Sequence, residues 1–251
     1  MVVPSRHPWG AFEVGSWKKV KVVTTTFGDK QRKLGERVTE TKTTLVDVDR
    51  ESYTLRVEAV VIVAGRRFES APRFVRRGFD GEGDDDVVSY EDTTSETLTI
   101  GQQRIPSRIQ KIVSQRGDTQ RVSTVHFSGD VSPFVLRKRT VSIDSKTNSR
   151  LGETLLDVIE MAMPRRVLSQ RRLVSEIKTV HTHPGGRSET TEYYTPEVPG
   201  GVVEHESSEF DKNGRLTQSS TLQLVGYGLG DGDVREDHRP RFFRLFRKRR
   251  R

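Results

Sequence analysis

The chain of 251 residues contains no cysteine, which excludes a disulfide framework, a thiolate nucleophile and a cysteine-ligated zinc site. It also lacks any run of about eighteen apolar residues, so no segment has the length and hydropathy of a membrane-spanning helix. The first nine residues, Met-Val-Val-Pro-Ser-Arg-His-Pro-Trp, have no apolar core of the kind a secretory signal needs, and on that ground a cytoplasmic protein is expected. Apolar residues are few, 32% against 31% charged, a balance that suits sheets with one solvated face. No strand, glycine fingerprint and helix occur in sequence, which leaves a dinucleotide site unsupported. No nucleophile elbow points to a hydrolase.

What is present is short β-branched and aromatic runs punctuated by Gly, Pro, Asn and Asp, the pattern of antiparallel strands joined by hairpins. The clearest strand places Tyr53, Leu55, Val57, Ala59, Val61 and Val63 on one face. Six apolar residues at a spacing of two line one face of a sheet and cannot line one face of a helix. The opposite face is polar at Thr54, Arg56 and Glu58 and apolar from Val60, which predicts a strand buried on both sides at its end.

An internal duplication organises the rest. Ser107 to Ile112 lies over Ser175 to Val180 at an offset of 68, and Gly117 over Gly185 at the same offset. Pro133 lies over Pro199 at 66, and Ile143-Asp144 over Phe210-Asp211 at 67, after which Leu151 meets Leu216. Turn residues and apolar positions recurring in order point to one four-stranded meander present twice. Residues 17–70 have the same order of strand, Gly-Asp turn and Thr-rich strand, and form a candidate third copy. The expected fold is thus all-β: a large twisted antiparallel meander sheet of ten to thirteen strands, an open half-barrel or sandwich, with at most one long helix. That helix would be the stretch from Glu153 to Met163, whose propensity suits it although the repeat places a strand there.

The expected organisation is an N-terminal segment 1–16 and a single domain 17–228, with repeats at 17–70, 107–163 and 175–228 and an exposed acidic loop at 78–92. A linker 229–238 and a basic disordered tail 239–251 complete it. Within the loop, Asp80, Glu82, Asp84, Asp86 and Glu91 have a superficial calcium-loop spacing, but Asp85 stands where that motif needs glycine. His181 and His183 would share a strand face beside the turn Pro184-Gly185-Gly186, and the sequence does not name a third metal ligand for them. His126 and His205 stand isolated. Acid pairs such as Asp47 with Asp49 and Glu204 with Glu206 read as solvated sheet surface.

The charge of +8 belongs to the tail: Arg239, Arg241, Arg244, Arg247, Lys248, Arg249, Arg250 and Arg251 stand there without an acid, and the remaining 35 Lys and Arg balance 35 Asp and Glu. As a helix, Arg241 to Lys248 would gather Phe242, Phe243 and Phe246 on one face amid arginines. Such a segment suits an anionic membrane surface, each basic group adding about 1 kcal/mol. It equally suits nucleic acid, through phosphate contacts and stacking on unpaired bases. The reading from sequence is a non-catalytic binding or scaffold protein with a curved sheet and no cofactor. A peripheral protein docking through Arg239–Arg251 is the alternative, and a hydrolytic enzyme the least supported. The strand pattern broadly resembles the open half-barrels of periplasmic lipoprotein carriers. A sheet of this size needs protected edges, so self-association is a further expectation, and the small-molecule ligand is unknown.

Overall fold

A computed structural model describes residues 6–79, 86–230 and 233–236. Alternation drives every element: among the described residues there is no α-helix, only a 3-10 turn at Asp29–Gln31. The strands are β1 (Trp17–Phe27), β2 (Lys33–Val48), β3 (Ser52–Val63), β4 (Arg66–Glu69), β5 (Arg73–Gly78), β6 (Asp86–Ile100), β7 (Gln103–Arg116) and β8 (Thr119–Phe127). They continue with β9 (Val135–Asp144), β10 (Arg150–Val167), β11 (Gln170–His183), β12 (Gly186–Tyr194), β13 (Val202–Asp211), β14 (Leu216–Leu229) and β15 (Asp233–Glu236).

All fifteen belong to one sheet, so the fold is a meander and not a sandwich. The order is β4-β3-β2-β1-β14-β13-β12-β11-β10-β9-β8-β7-β6, with β5 beside β3 in line with β4, and β15 beside β14. Two more strands form than the upper end of the expected range. β5 and the start of β6 lie inside or beside the expected loop 78–92, and β15 lies inside the expected linker 229–238. Their Arg-rich, acidic and Gly-rich sequences hide the inward alternation that marks interior strands. The Glu153 to Met163 stretch is strand, part of β10: its Leu155, Asp157 and Val158 pair with Val180, Lys178 and Ile177.

The duplication is visible in the strand ends. From Gln103 to Asp144, every strand boundary recurs 67 residues later, from Gln170 to Asp211. The bulge between His126 and Phe127 recurs between Tyr193 and Tyr194, and that at Ile159 of β10 recurs 66 residues on at Val225 of β14. The cores correspond too. Ile100, Val131, Leu136, Val158 and Met161 of one cluster answer to Val167, Val198, Val203, Leu224 and Tyr227 of the other. The offset of 68 that matches Ser107 to Ser175 is one residue too long, because the hairpin pairs Arg116 with Thr119 and His183 with Gly186 set 67. By the same shift, Arg150 and not Leu151 answers to Leu216. In a strand, a slip of one residue lays inward positions over outward ones, so the identities in those two strands mislead.

The sheet is rolled. His7 stacks on Tyr53 of β3 at 4.6 Å and also lines a 130 Å³ cavity with Val131 and Phe134, from the loop between β8 and β9. Those elements lie eight strands apart, about 38 Å across a flat sheet at 4.8 Å per strand, so only curvature brings both to one imidazole. The inner face holds the buried apolar residues, and the outer face carries ion pairs such as Arg137 with Asp157 at 2.6 Å and Lys19 with Glu40 at 3.2 Å. Because the inner face is open, the stripe on β3 is only half buried, and Val63 is 42% exposed where burial on both sides is the sequence expectation.

The roll does not close. The path has thirteen strands, and every neighbouring pair is antiparallel, so an odd count leaves β4–β5 and β6 at the two edges running the same way. Sealing that seam would need a parallel pair between consecutive strands. Parallel neighbours need a crossover of about a dozen residues or more. Only residues 79–85 separate β5 from β6.

Candidate functional site

One end of the half-barrel is capped by residues 6–16, which lead into β1. His7 Nδ1 accepts the main-chain N–H of Trp9 at 3.2 Å, and its ring is held between Tyr53 and Phe79. Burial lowers its pKa to about 4, so the imidazole is neutral and packs as an aromatic. Trp9 is buried with Leu45 and Tyr53, and Gly200 N–H donates to Pro8 O at 2.8 Å. The segment thereby ties the N-terminal strands to the loop 195–201.

Beneath this cap three titratable groups meet. On β1 the even positions Lys18, Val20, Val22 and Thr24 point inward and Trp17, Lys19 and Lys21 outward, as a strand requires. Lys18 is wrapped by the cap: Nζ is 3.4 Å from the carbonyls of both Gly200 and Val202 and 5.8 Å from the Trp9 ring centre. Desolvation lowers its pKa to about 8, against the field of Glu192, which favours the charged form. Glu192 on β12 is raised by burial, with Lys18 opposing the rise, and His205 on β13 is lowered by burial and then by Lys18. Glu192 and His205 are direct cross-strand partners.

They sit in one transverse row of the inner face. Pair by pair it runs Val61, Thr39, Val22, Leu222, His205, Glu192, Ile177 and Val158, so two ionisable groups lie between apolar arms. The next row away from the cap is hydroxyl-rich: Thr24, Ser220, Ser207, Thr190 and Thr179, with Thr190 and Ser207 hydrogen-bonded at 2.9 Å. Apart from buried Thr24, these hydroxyl residues are half-buried, as expected for a concave surface facing solvent. The arrangement offers a trough with apolar flanks, neutral hydroxyls and a desolvated Lys-Glu-His centre. Perturbed titration in a concavity is the physical mark of a candidate site.

The outer face also has a groove, of 670 Å³, but its charges are matched. Lys19 pairs with Glu40, Arg56 with Glu58 at 2.7 Å, and Lys42 lies 4.8 Å over Trp17. A 490 Å³ recess at Phe127, Ser128 and Phe134 is also lined by Arg108 and Asp130.

His181 and His183 do share a face, with rings stacked at 5.5 Å, but each is engaged locally. Thr154 Oγ1 is 2.9 Å from His181 Nδ1, and Gly185 N–H donates to His183 Nδ1 at 3.1 Å. Among the described residues no group of three or more His, Asp and Glu is placed to hold a metal ion. His126 lies 2.9 Å from Glu96, and His205, isolated in sequence, belongs to the central row. Asp49 caps its own turn, accepting from Glu51 and Ser52 N–H, which lowers its pKa to about 2. Gly226 and Gly228 belong to β14 and pair with β15. The acids 80–85 and the tail residues Arg241, Phe242, Phe243, Arg244, Phe246, Arg247, Lys248, Arg249, Arg250 and Arg251 lie outside the described residues. Lys18 and Glu192 carry no sequence signal: they are 174 positions apart, and only the pairing of β1 with β14 brings them together.

No helix of the described residues is long and apolar enough to cross a membrane. No protein-family model matches the chain, and no curated protein sequence does. Among solved structures it is similar to an exported-protein candidate of YmcC-like fold from Bacteroides fragilis, at 10% identity and a TM-score of 0.33 over 85% of this chain and 96% of that one. It is also similar to a lipoprotein candidate from Parabacteroides distasonis, at 11% identity and a TM-score of 0.37 over 84% and 95%. Salmonella typhi OmpF in complex with daunomycin gives 6% identity and a TM-score of 0.22 over 85% and 97%. At these scores the likenesses carry no argument about function.

Proposed function

We propose that the chain is a non-catalytic binding protein whose inner face receives a ligand in the trough between β3 and β10. The observation that carries the reading is the row from Val61 to Val158: one apolar arm, Val61, Val22 and Leu222, left half-buried, with Glu192 and His205 desolvated between it and the buried pair Ile177 and Val158. Half-buried apolar surface in a concavity gains roughly 25 cal/mol per Å² when a ligand covers it. A structural part for Lys18 supports the non-catalytic assignment, since its ammonium faces two main-chain carbonyls and Trp9 and so holds the cap in place.

The test uses 1-anilinonaphthalene-8-sulfonate, an amphipathic probe whose fluorescence rises in apolar surroundings. The full chain should bind it saturably, and Leu222→Glu, at the centre of the row, should weaken binding at least tenfold while unfolding remains cooperative. Equal binding by the two proteins would reject the trough. A second reading, docking of an anionic surface through residues 239–251, is favoured by their eight basic groups without an acid.

A further inference from the structure

The two free edges of the sheet are opposite in charge. The β4–β5 edge carries Arg66, Arg67, Arg73, Arg76 and Arg77 against Glu69, with Arg67 paired to Glu69 and Arg76 to Asp49. In contrast, β6 carries Asp86, Glu91, Asp92 and Glu96 and no basic residue, with Glu91 4.0 Å from Lys111 of β7 and Glu96 2.9 Å from His126 of β8. Both edges also expose large apolar side chains: Phe68 at 56% and Phe74 at 68% on one, Val88 at 64% on the other. Among the described residues β4 and β5 pair only with β3, and β6 only with β7, so each edge presents one side of its backbone donors and acceptors outward. An unpaired edge with exposed apolar residues is a template for another strand. Intramolecular pairing of the two would be parallel, and the connection between β5 and β6, residues 79–85, is too short for a parallel crossover.

We infer that the β4–β5 edge of one molecule docks on the β6 edge of a second copy of this chain, extending the sheet from molecule to molecule. Charge selects this geometry over the alternatives. A two-fold axis pairs like edges, setting arginine against arginine or carboxylate against carboxylate, and such juxtapositions are penalised. A head-to-tail operation pairs the basic edge with the acidic one and brings exposed apolar side chains to both sides of the contact. Heterologous contacts of this kind build rings or open chains, so assembly should grow with concentration and have no fixed dimer end point.

The experiment is sedimentation velocity on the full chain over a concentration series, at about 0.05 M and about 1 M salt, where the screening length falls from over 10 Å to about 3 Å. Two charge-altered variants accompany it: Arg66→Glu with Arg73→Glu, which leaves three basic and three acidic groups on the β4–β5 edge, and Glu91→Lys with Asp92→Lys, which leaves two of each on β6. The unaltered chain should associate at low salt with a dissociation constant at least tenfold tighter than at high salt. Each variant alone should be weakened at least tenfold, and an equimolar mixture should associate again, since the acidic β6 edge kept by the first variant matches the basic β4–β5 edge kept by the second. Circular dichroism and cooperative unfolding establish that each variant folds, and two misfolded proteins would not restore assembly on mixing. A single sedimenting species for the unaltered chain at low salt throughout, variants that assemble unchanged, or a mixture no more associated than its parts would each overturn the inference. So would association lost on removing residues 239–251, which would assign the contact to the basic tail.

Discussion

Lys18 makes the cap at one end of the half-barrel a measurable quantity. Its pKa falls from the ordinary 10.5 to about 8, a difference of roughly 2.5 units, and each unit corresponds to about 1.36 kcal/mol between the charged and neutral forms. Holding the ammonium under Trp9 therefore costs about 3 kcal/mol at neutral pH. The sign follows from proton counting. Below pH 8 both folded and unfolded chains carry the proton and the cost is constant. Between 8 and 10.5 the unfolded chain binds more protons, so stability rises with pH. Above 10.5 the cost is gone. Lys18→Met keeps the length of the stem and removes the charge, so it should stabilise the fold at pH 7 by about 1 to 3 kcal/mol, the lower figure allowing for the lost hydrogen bonds to the Gly200 and Val202 carbonyls. Urea denaturation of the two proteins at pH 7, 9 and 10.5 reads the difference directly, because tyrosines and other lysines titrate equally in both. The advantage should shrink across that range and vanish at its top. A Met variant less stable at pH 7, or an advantage independent of pH, would refute the account and show that the carbonyl contacts of Lys18 outweigh its desolvation.

Two further outcomes follow from other parts of the molecule. Gly201→Ala should lower stability by about 1 to 3 kcal/mol in chemical denaturation, because φ is +69° there and an added Cβ would run into the Tyr194 ring. Removing residues 239–251 should leave the unfolding midpoint unchanged and abolish any salt-dependent binding of the full chain to anionic vesicles or single-stranded RNA; vesicle co-sedimentation and fluorescence anisotropy across a salt series measure it.

What was legible in the sequence is what depends on neighbouring residues. The stripe from Tyr53 to Val63 defines β3, and the turns at Gly117 and Asp144 recur in the duplicate because a hairpin is a local object. Register was less legible: Ser107 and Ser175 match in type but lie on opposite faces, since faces are assigned by the hairpin and not by identity. The edge strands were hidden, as β5 and the start of β6 are written in arginine and acid and show no inward alternation. The central row was out of reach, because Val22 meets Leu222 only through a pair that joins the two ends of the chain. The same holds for burial on the inner face, where openness and not composition leaves Val63 exposed.

The odd strand count has an arithmetical consequence for how this architecture can change. The duplicated unit contributes four strands, an even number, each time it occurs. Inserting or deleting whole units therefore alters the width of the sheet without altering its parity. A lineage growing by such steps from thirteen strands would pass to seventeen or nine and meet the same mismatch of direction at the seam. Openness in this sheet is inherited with the repeat: size is free to vary, and the two oppositely charged rims persist.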